Sequence, residues 1–407
     1  MFRKQKQVQE QVAPPAPNRA PGLWTELRTE FDALAADPAS PERRSAVATR
    51  YAVLALTPPT HLPLTPPTHL PPGGLSPMGF AVRPDRGLQD CALTERALAA
   101  LGPLIDGGHD PVHHLQLRAH LLAGWQRFAE AGADLDAAAA LVPGDGPEAD
   151  QARGLLRHHA AMWRGQGAGL QAVPEWELAQ LREAVGRVAP SIGRVVAYVP
   201  PLVALYGRAD VPIQPDPRLL ALDAKLVARG MQLLAWVENS TFAELFQQRV
   251  ITGAWGAPDH SFVVSAGAVG QVEVADVESV CNDGRFVTTV ATRGQSGFVG
   301  GPWIDTLNVD TALTIDEVID LHTARLRALF ATTPGLAPRP VGTGPAWAAM
   351  QEEMRRRKAE FRLAEGLSDS EARGFPLQYP DVAVPMLRAA AREAVATAYA
   401  AAAAEAA

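Results

Sequence analysis

The tightest constraint in this chain is the dipeptide Asp283-Gly284, set between two short apolar runs. A two-residue hairpin of type I′ needs φ > 0 at both central positions, which Asp tolerates and Gly adopts freely. Folding there sets Cys281 opposite Phe286, Ser279 opposite Thr288 and Val277 opposite Val290. That register puts Cys281, Phe286, Val277 and Val290 on the core face. Val272 and Val274 have the opposite parity to Val277, so a bulge near Ala275 or Asp276 is expected. Phe262 to Ser265 and Val250 to Trp255 supply earlier strands. The run Met231 to Val237 is too short for a helix and reads as another strand.

Helices bracket this meander. Asp216-Pro217 is an N-cap followed by a first-turn proline, Leu219, Leu222 and Leu226 follow at helical spacing, and Gly230 ends the segment. Phe242, Leu245 and Phe246 suggest one short helix inside it. Thr314-Ile315-Asp316-Glu317 is a capping box opening a helix with Val318, Leu321, Leu326 and Leu329 as its stripe and His322 and Arg325 beside it. In the residues Gly230, Asp283, Gly284, Thr288, Thr289 and His322 the stretch resembles a recurrent bacterial α+β domain of unknown function. The resemblance spans about residues 217–330, implies the fold, and implies no reaction type.

The remaining sequence reads as helices joined by breakers. Residues 1–21 are expected to be a disordered tail. Residues 22–190 form a helical region with a Pro-rich linker at 56–77, where Leu56 to Pro63 is repeated verbatim as Leu64 to Pro71. Two copies are too few for a solenoid, and the prolines favour an extended spacer over a docking motif. The helices include one expected to run unbroken from Asp110 to Ala131. An apolar, Pro-containing connector covers 191–216, the α+β meander 217–333, a second linker 334–344, and C-terminal helices 345–407. The fold class is therefore α+β: a helical N-terminal region, a small antiparallel meander with flanking helices, and a helical C-terminal extension.

Composition narrows the chemistry. A net charge of −7 argues against a general nucleic-acid binder. Cys91 and Cys281 form no CxxC or disulfide framework, which makes a reducing, cytoplasmic setting the default. The longest uncharged apolar run, Val195 to Gly207, is too short to span a bilayer.

Among reactive side chains, His113, His114, His120, His158 and His159 lie on two helices that a bundle could bring face to face, as metal sites require. No HExxH motif accompanies them, so solvated or packed imidazoles are the plainer reading. Gly294 to Phe298 is not GxSxG, and Gly165 to Gly169 lacks the spacing of a dinucleotide loop. Asp305, Asn308 and Asp310 lack the glycine and spacing of a calcium loop. Arg355 to Lys358 with Arg362 is the densest basic run, and Glu352, Glu353 and Glu360 can neutralise it at helical spacing. The sequence assigns no catalytic residue, cofactor or metal. It favours a non-catalytic interaction or adaptor role with a protein partner. The competing readings are a metal-dependent or small-molecule enzyme built on the histidines, and nucleic-acid binding through the basic helix.

Overall fold

In the computed structural model, residues 21–57, 88–171, 173–196, 204–238, 249–269, 272–292, 301–309, 313–375 and 379–405 are described. Residues 1–20 of the expected tail, nearly all of the tandem repeat, the Pro200-Pro201 region, the short helix expected at Phe242 to Phe246, the Gly294 to Phe298 loop and Asp310 lie outside them, while Pro21 already belongs to a helix. The fold is α+β. Its centre is a seven-stranded sheet in sequence order: β1 (Ala204–Tyr206), β2 (Gln232–Glu238), β3 (Ile251–Gly256), β4 (Val263–Val269), β5 (Val272–Val280), β6 (Phe286–Thr292) and β7 (Ile304–Asn308). All neighbours pair antiparallel except β6 and β7, which run parallel.

The turn after β5 corrects the expected hairpin. Gly284 alone has positive φ, at 81°, and its N–H donates to the Cys281 carbonyl at 2.9 Å. Cys281 N–H in turn donates to the Arg285 carbonyl at 2.7 Å. This is a three-residue loop whose left-handed glycine completes a bulge, and it needs one positive φ where type I′ needs two. The register moves by one residue: Val280 faces Phe286, Glu278 faces Thr288 and Asp276 faces Val290. Val277 and Cys281 therefore lie on one face and Phe286 on the other. No bulge occurs at Ala275 or Asp276, and the irregularity sits instead at Leu233–Ala235 on β2.

Both sheet faces are covered. On the first face Trp255, Val264, Val277 and Leu307 form one row across β3, β4, β5 and β7, with Trp236 edge-on to Trp255 at 5.7 Å. Gly253 makes room for that indole, because a Cβ there would stand 2.1 Å from the ring. Against this face pack α8 (Pro217–Ala228) and α9 (Ile315–Thr332), and α1 (Pro21–Ala36) lies against α9. The cap at Asp216 and the capping box at Thr314 both form. On the second face Val237, Val263, Val280, Phe286 and Ile304 meet Trp347, Met350 and Met354 of α10 (Gly344–Glu365). The segment between α9 and α10 runs along the sheet end, burying Leu336 and Val341.

The other helices surround this sandwich. α2 (Pro41–Leu56) and α3 (Leu88–Asp106) extend the first-face core, and α4 (Pro111–Gly124), α5 (Phe128–Leu141) and α6 (Pro147–Gln171) share a smaller one. The single helix expected from Asp110 to Ala131 is two helices. Gln126 turns left-handed at φ 60° between them, beside the buried Trp125. α7 (Glu175–Val196) packs along α12 (Pro380–Glu405) with the short α11 (Asp369–Arg373) beside them. The Arg362 guanidinium and the Glu371 carboxylate, both buried, pair at 2.6 and 2.7 Å and tie α10 to α11. Among the described residues no helix is long and apolar enough to cross a membrane.

Candidate functional site

Strand alternation and register place an unusual set of groups on the second sheet face. One row across six strands reads Ala235, Ala254, Ser265, Asp276, Val290, Asn308. The next reads Val263, Glu278, Thr288, Thr306. The face is apolar where Val263, Val280, Phe286 and Ile304 meet α10, and beside them it carries Ser265, Asp276, Glu278, Thr288, Thr306 and Asn308. Two carboxylates two residues apart on one strand point the same way, so they repel unless one holds a proton or a cation intervenes.

Glu278 is 6% exposed and firmly held. Its Oε2 accepts from Gln351 Nε2 at 2.5 Å and from Ser265 Oγ at 3.2 Å, and Trp347 Nε1 donates to Ser265 Oγ at 3.2 Å. Asp276 is half-buried and its Oδ1 has no hydrogen-bond partner. Burial, reinforced by the Glu278 charge and opposed by Lys358 of α10, raises the Asp276 carboxyl to about 7. Burial likewise raises Glu278 and lowers the Lys358 ammonium, whose neighbours Glu278 and Asp276 act in the opposite sense. Asn308 is 4% exposed, and its Nδ2 also has no partner. Thr288 and Thr306 satisfy each other at 3.0 Å.

On the first face a second polar network is closed. His322 is fully buried, with Nε2 3.0 Å from Ser279 Oγ and Nδ1 3.0 Å from Thr289 Oγ1. Ser279 gives its only proton to the Ser261 carbonyl at 2.9 Å. The imidazole must therefore donate through Nε2 and accept from Thr289 at Nδ1. Burial, aided by the Arg325 charge, holds its pKa well below the ordinary value. This Ser–His pair is no nucleophile and base, since the base nitrogen already carries a proton toward the hydroxyl. Arg325 donates to the Thr288 and Asp305 carbonyls, and Arg96 of α3 donates to the Thr306 carbonyl. Asp305 lies in ion-pair contact with both guanidiniums, off the N–H directions. Both arginines donate to carbonyls of β7, the last strand of the sheet.

The histidines of the helical region do not converge. His114 donates through Nδ1 to the His109 carbonyl at 2.7 Å and accepts from Ser45 at Nε2 at 2.8 Å, a satisfied core imidazole. His120 meets Trp163 edge-on at 5.4 Å, His113 lies against His114, and His158 lies against His159. Among the described residues no three His, Cys, Asp or Glu side chains are grouped to hold a metal ion. Cys281 is buried, and burial first, then Asp283, pushes its thiol up to about 11, so it is a packed thiol.

The basic run is likewise dispersed. Arg355 pairs with Glu352, and Arg356 with Glu360 at 2.6 Å. Arg357 reaches the Gly284 carbonyl and covers Trp303 at 4.4 Å, Lys358 turns toward the carboxylates, and Arg362 is buried on Glu371.

Sequence reasoning passed over Asp276, Glu278 and Lys358, reading the first as a bulge position and the last as part of a charge run. The available signal was the alternation Asp276, Val277, Glu278 within β5, which places two acids on a face that packing must cover. Comparison with family models, with curated proteins and with solved structures finds no match.

Proposed function

We propose that this chain is a non-catalytic interaction protein that receives an amphipathic helix from a protein partner in the groove between α7 and α12. The observation that carries this reading is the groove itself, of about 760 Å³, lined by Val185, Gly186, Met386, Ala390 and the exposed Leu363. Small residues keep its walls low, so a visiting helix can approach closely, as helix-in-groove recognition requires. Arg182 and Arg392 stand exposed at the rim and form no ion pair among the described residues, while Glu393 is the one carboxylate of the lining. That balance favours a helix with acidic flanks. The free, buried Cys281 fits a reducing, cytoplasmic setting.

Fluorescence anisotropy with a labelled helical peptide tests this, using leucines at i, i+3, i+4 and i+7 and glutamate flanks. Saturable binding is expected, weakened by about tenfold, roughly 1.4 kcal/mol, in the R182E/R392E double variant. A peptide with lysine flanks should bind no better than that variant does. Absence of saturable binding, or equal binding of both peptides, refutes the reading.

A further inference from the structure

We infer that the cavity at the end of β1 is a second interaction surface, one that takes an extended segment of a partner protein as an added strand beside β2, with an acidic residue at its head. β2 has seven residues, and β1 pairs with only the last three: Tyr206 faces Trp236, Leu205 faces Val237 and Ala204 faces Glu238. Opposite Ala235 the chain leaves the sheet, because Gly207 opens a turn in which the Asp210 N–H donates to the Gly207 carbonyl at 3.3 Å. Gln232, Leu233 and Ala235 pair with β3 on their other side. Among the described residues no further backbone hydrogen bond reaches the stretch from Gln232 to Ala235. A cavity of about 450 Å³ fills the gap, with Tyr206, Gly207 and Arg208 on one wall and Gln232 to Ala235 along the other. Backbone donors and acceptors left open on a strand edge are a template for pairing with another chain.

The lining specifies the occupant. Four residues of β2 at about 3.3 Å each give roughly 13 Å of open edge, room for one short strand. Apolar side chains flank that edge on both faces of the sheet. Leu233 packs with the first-face core and Leu234 with the second, both half-buried, and Met231 and the 46% exposed Val227 complete the wall. β-branched residues on an incoming strand suit such a surface. Arg208 is the one charged residue of the lining. Asp223 holds its guanidinium through bonds of 2.6 and 2.8 Å, and Trp255 Nε1 holds Asp223 at 2.8 Å, so the cation is fixed in place with its side chain 54% exposed. Those bonds take one N–H from each terminal nitrogen and leave the others for an acid at the cavity mouth. A strand running in the direction of β1 is antiparallel to β2 and begins beside Gly207 and Arg208, which puts its acidic residue at the N-terminal end. In this mode main-chain bonds supply affinity and the side chains select. The site shares no residue with the groove between α7 and α12, so either can fail alone.

Fluorescence anisotropy of the full chain with an acetylated, C-terminally labelled Glu-Val-Thr-Val-Thr peptide tests this, read beside hydrogen exchange. Saturable binding is expected, with slower exchange at those amides from Gln232 to Ala235 that point away from β3. N-methylation of the valines or of the threonines should weaken binding at least about tenfold in one peptide and far less in the other, because only alternate N–H groups of an added strand face β2. V227E, an exposed change at the cavity mouth, and R208Q should each weaken binding about tenfold. Absence of saturable binding, equal binding of the two methylated peptides, or unchanged exchange from Gln232 to Ala235 overturns the proposal. So does undiminished affinity in V227E with a melting midpoint equal to the parent's.

Discussion

Asp276 shows how a single side chain can set a pH dependence for the whole fold. Its carboxyl stands near 7 in the folded chain against an ordinary 3.8, held there by burial and by Glu278, with Lys358 opposing. Between those values the native state keeps a proton that the unfolded chain has released. Stability therefore falls as pH rises through that window, and the contribution is complete only below it. We expect D276N to be insensitive to this loss. In urea titrations at about pH 4.5 and about pH 7.5, the midpoint of D276N should rise relative to the parent as pH increases. An unchanged difference between the two proteins would show that Asp276 titrates as an exposed carboxylate does.

Among the elements, the β5–β6 turn gives the most direct test of local conformation. Only Gly284 is left-handed there, while Asp283, whose φ is not positive, accepts the Arg285 N–H at 2.9 Å. Gly284→Ala should cost about 1–2 kcal/mol from the left-handed Cβ penalty. Asp283→Ala should cost less, roughly the 1 kcal/mol of one local hydrogen bond. Chemical denaturation of the two variants distinguishes this loop from a type I′ turn, in which both changes would be comparably costly. The same element shows why the register escaped the sequence. Both loops end in a glycine with positive φ, and Asp tolerates either arrangement, so the dipeptide locates the reversal without choosing its length. A shift of one residue then moves Phe286 to the opposite face from Val277.

For the whole molecule, a buried ion pair helps couple the helix that covers the sheet to the C-terminal helices, beside the Arg388 bonds to Glu365 and the Leu367 carbonyl. Arg362 and Glu371 are 4% and 1% exposed at the side chain. Removing the guanidinium takes the paired charge from a buried carboxylate, so Arg362→Met should cost about 3–5 kcal/mol. Hydrogen exchange should show amides of α11 and α12 opening faster in this variant while those of β4, β5 and β6 keep their protection. Uniform loss of protection would instead mean that the molecule unfolds as one unit.

The sequence by itself determined the features whose physics closes within one turn of chain: the Asp216 and Thr314 caps, the reversal at Gly284, and the α+β class. Each depends on groups a few residues apart, which interact whatever the rest of the molecule does. Only the tertiary structure decided that both faces of the sheet are covered, that His322 is sealed between Ser279 and Thr289, and that Lys358 leaves its basic run to face two carboxylates. Nor could the sequence join Asp276 to Asn308. Their place in one row exists through the register of three strands, and register is settled by what packs above and below the sheet.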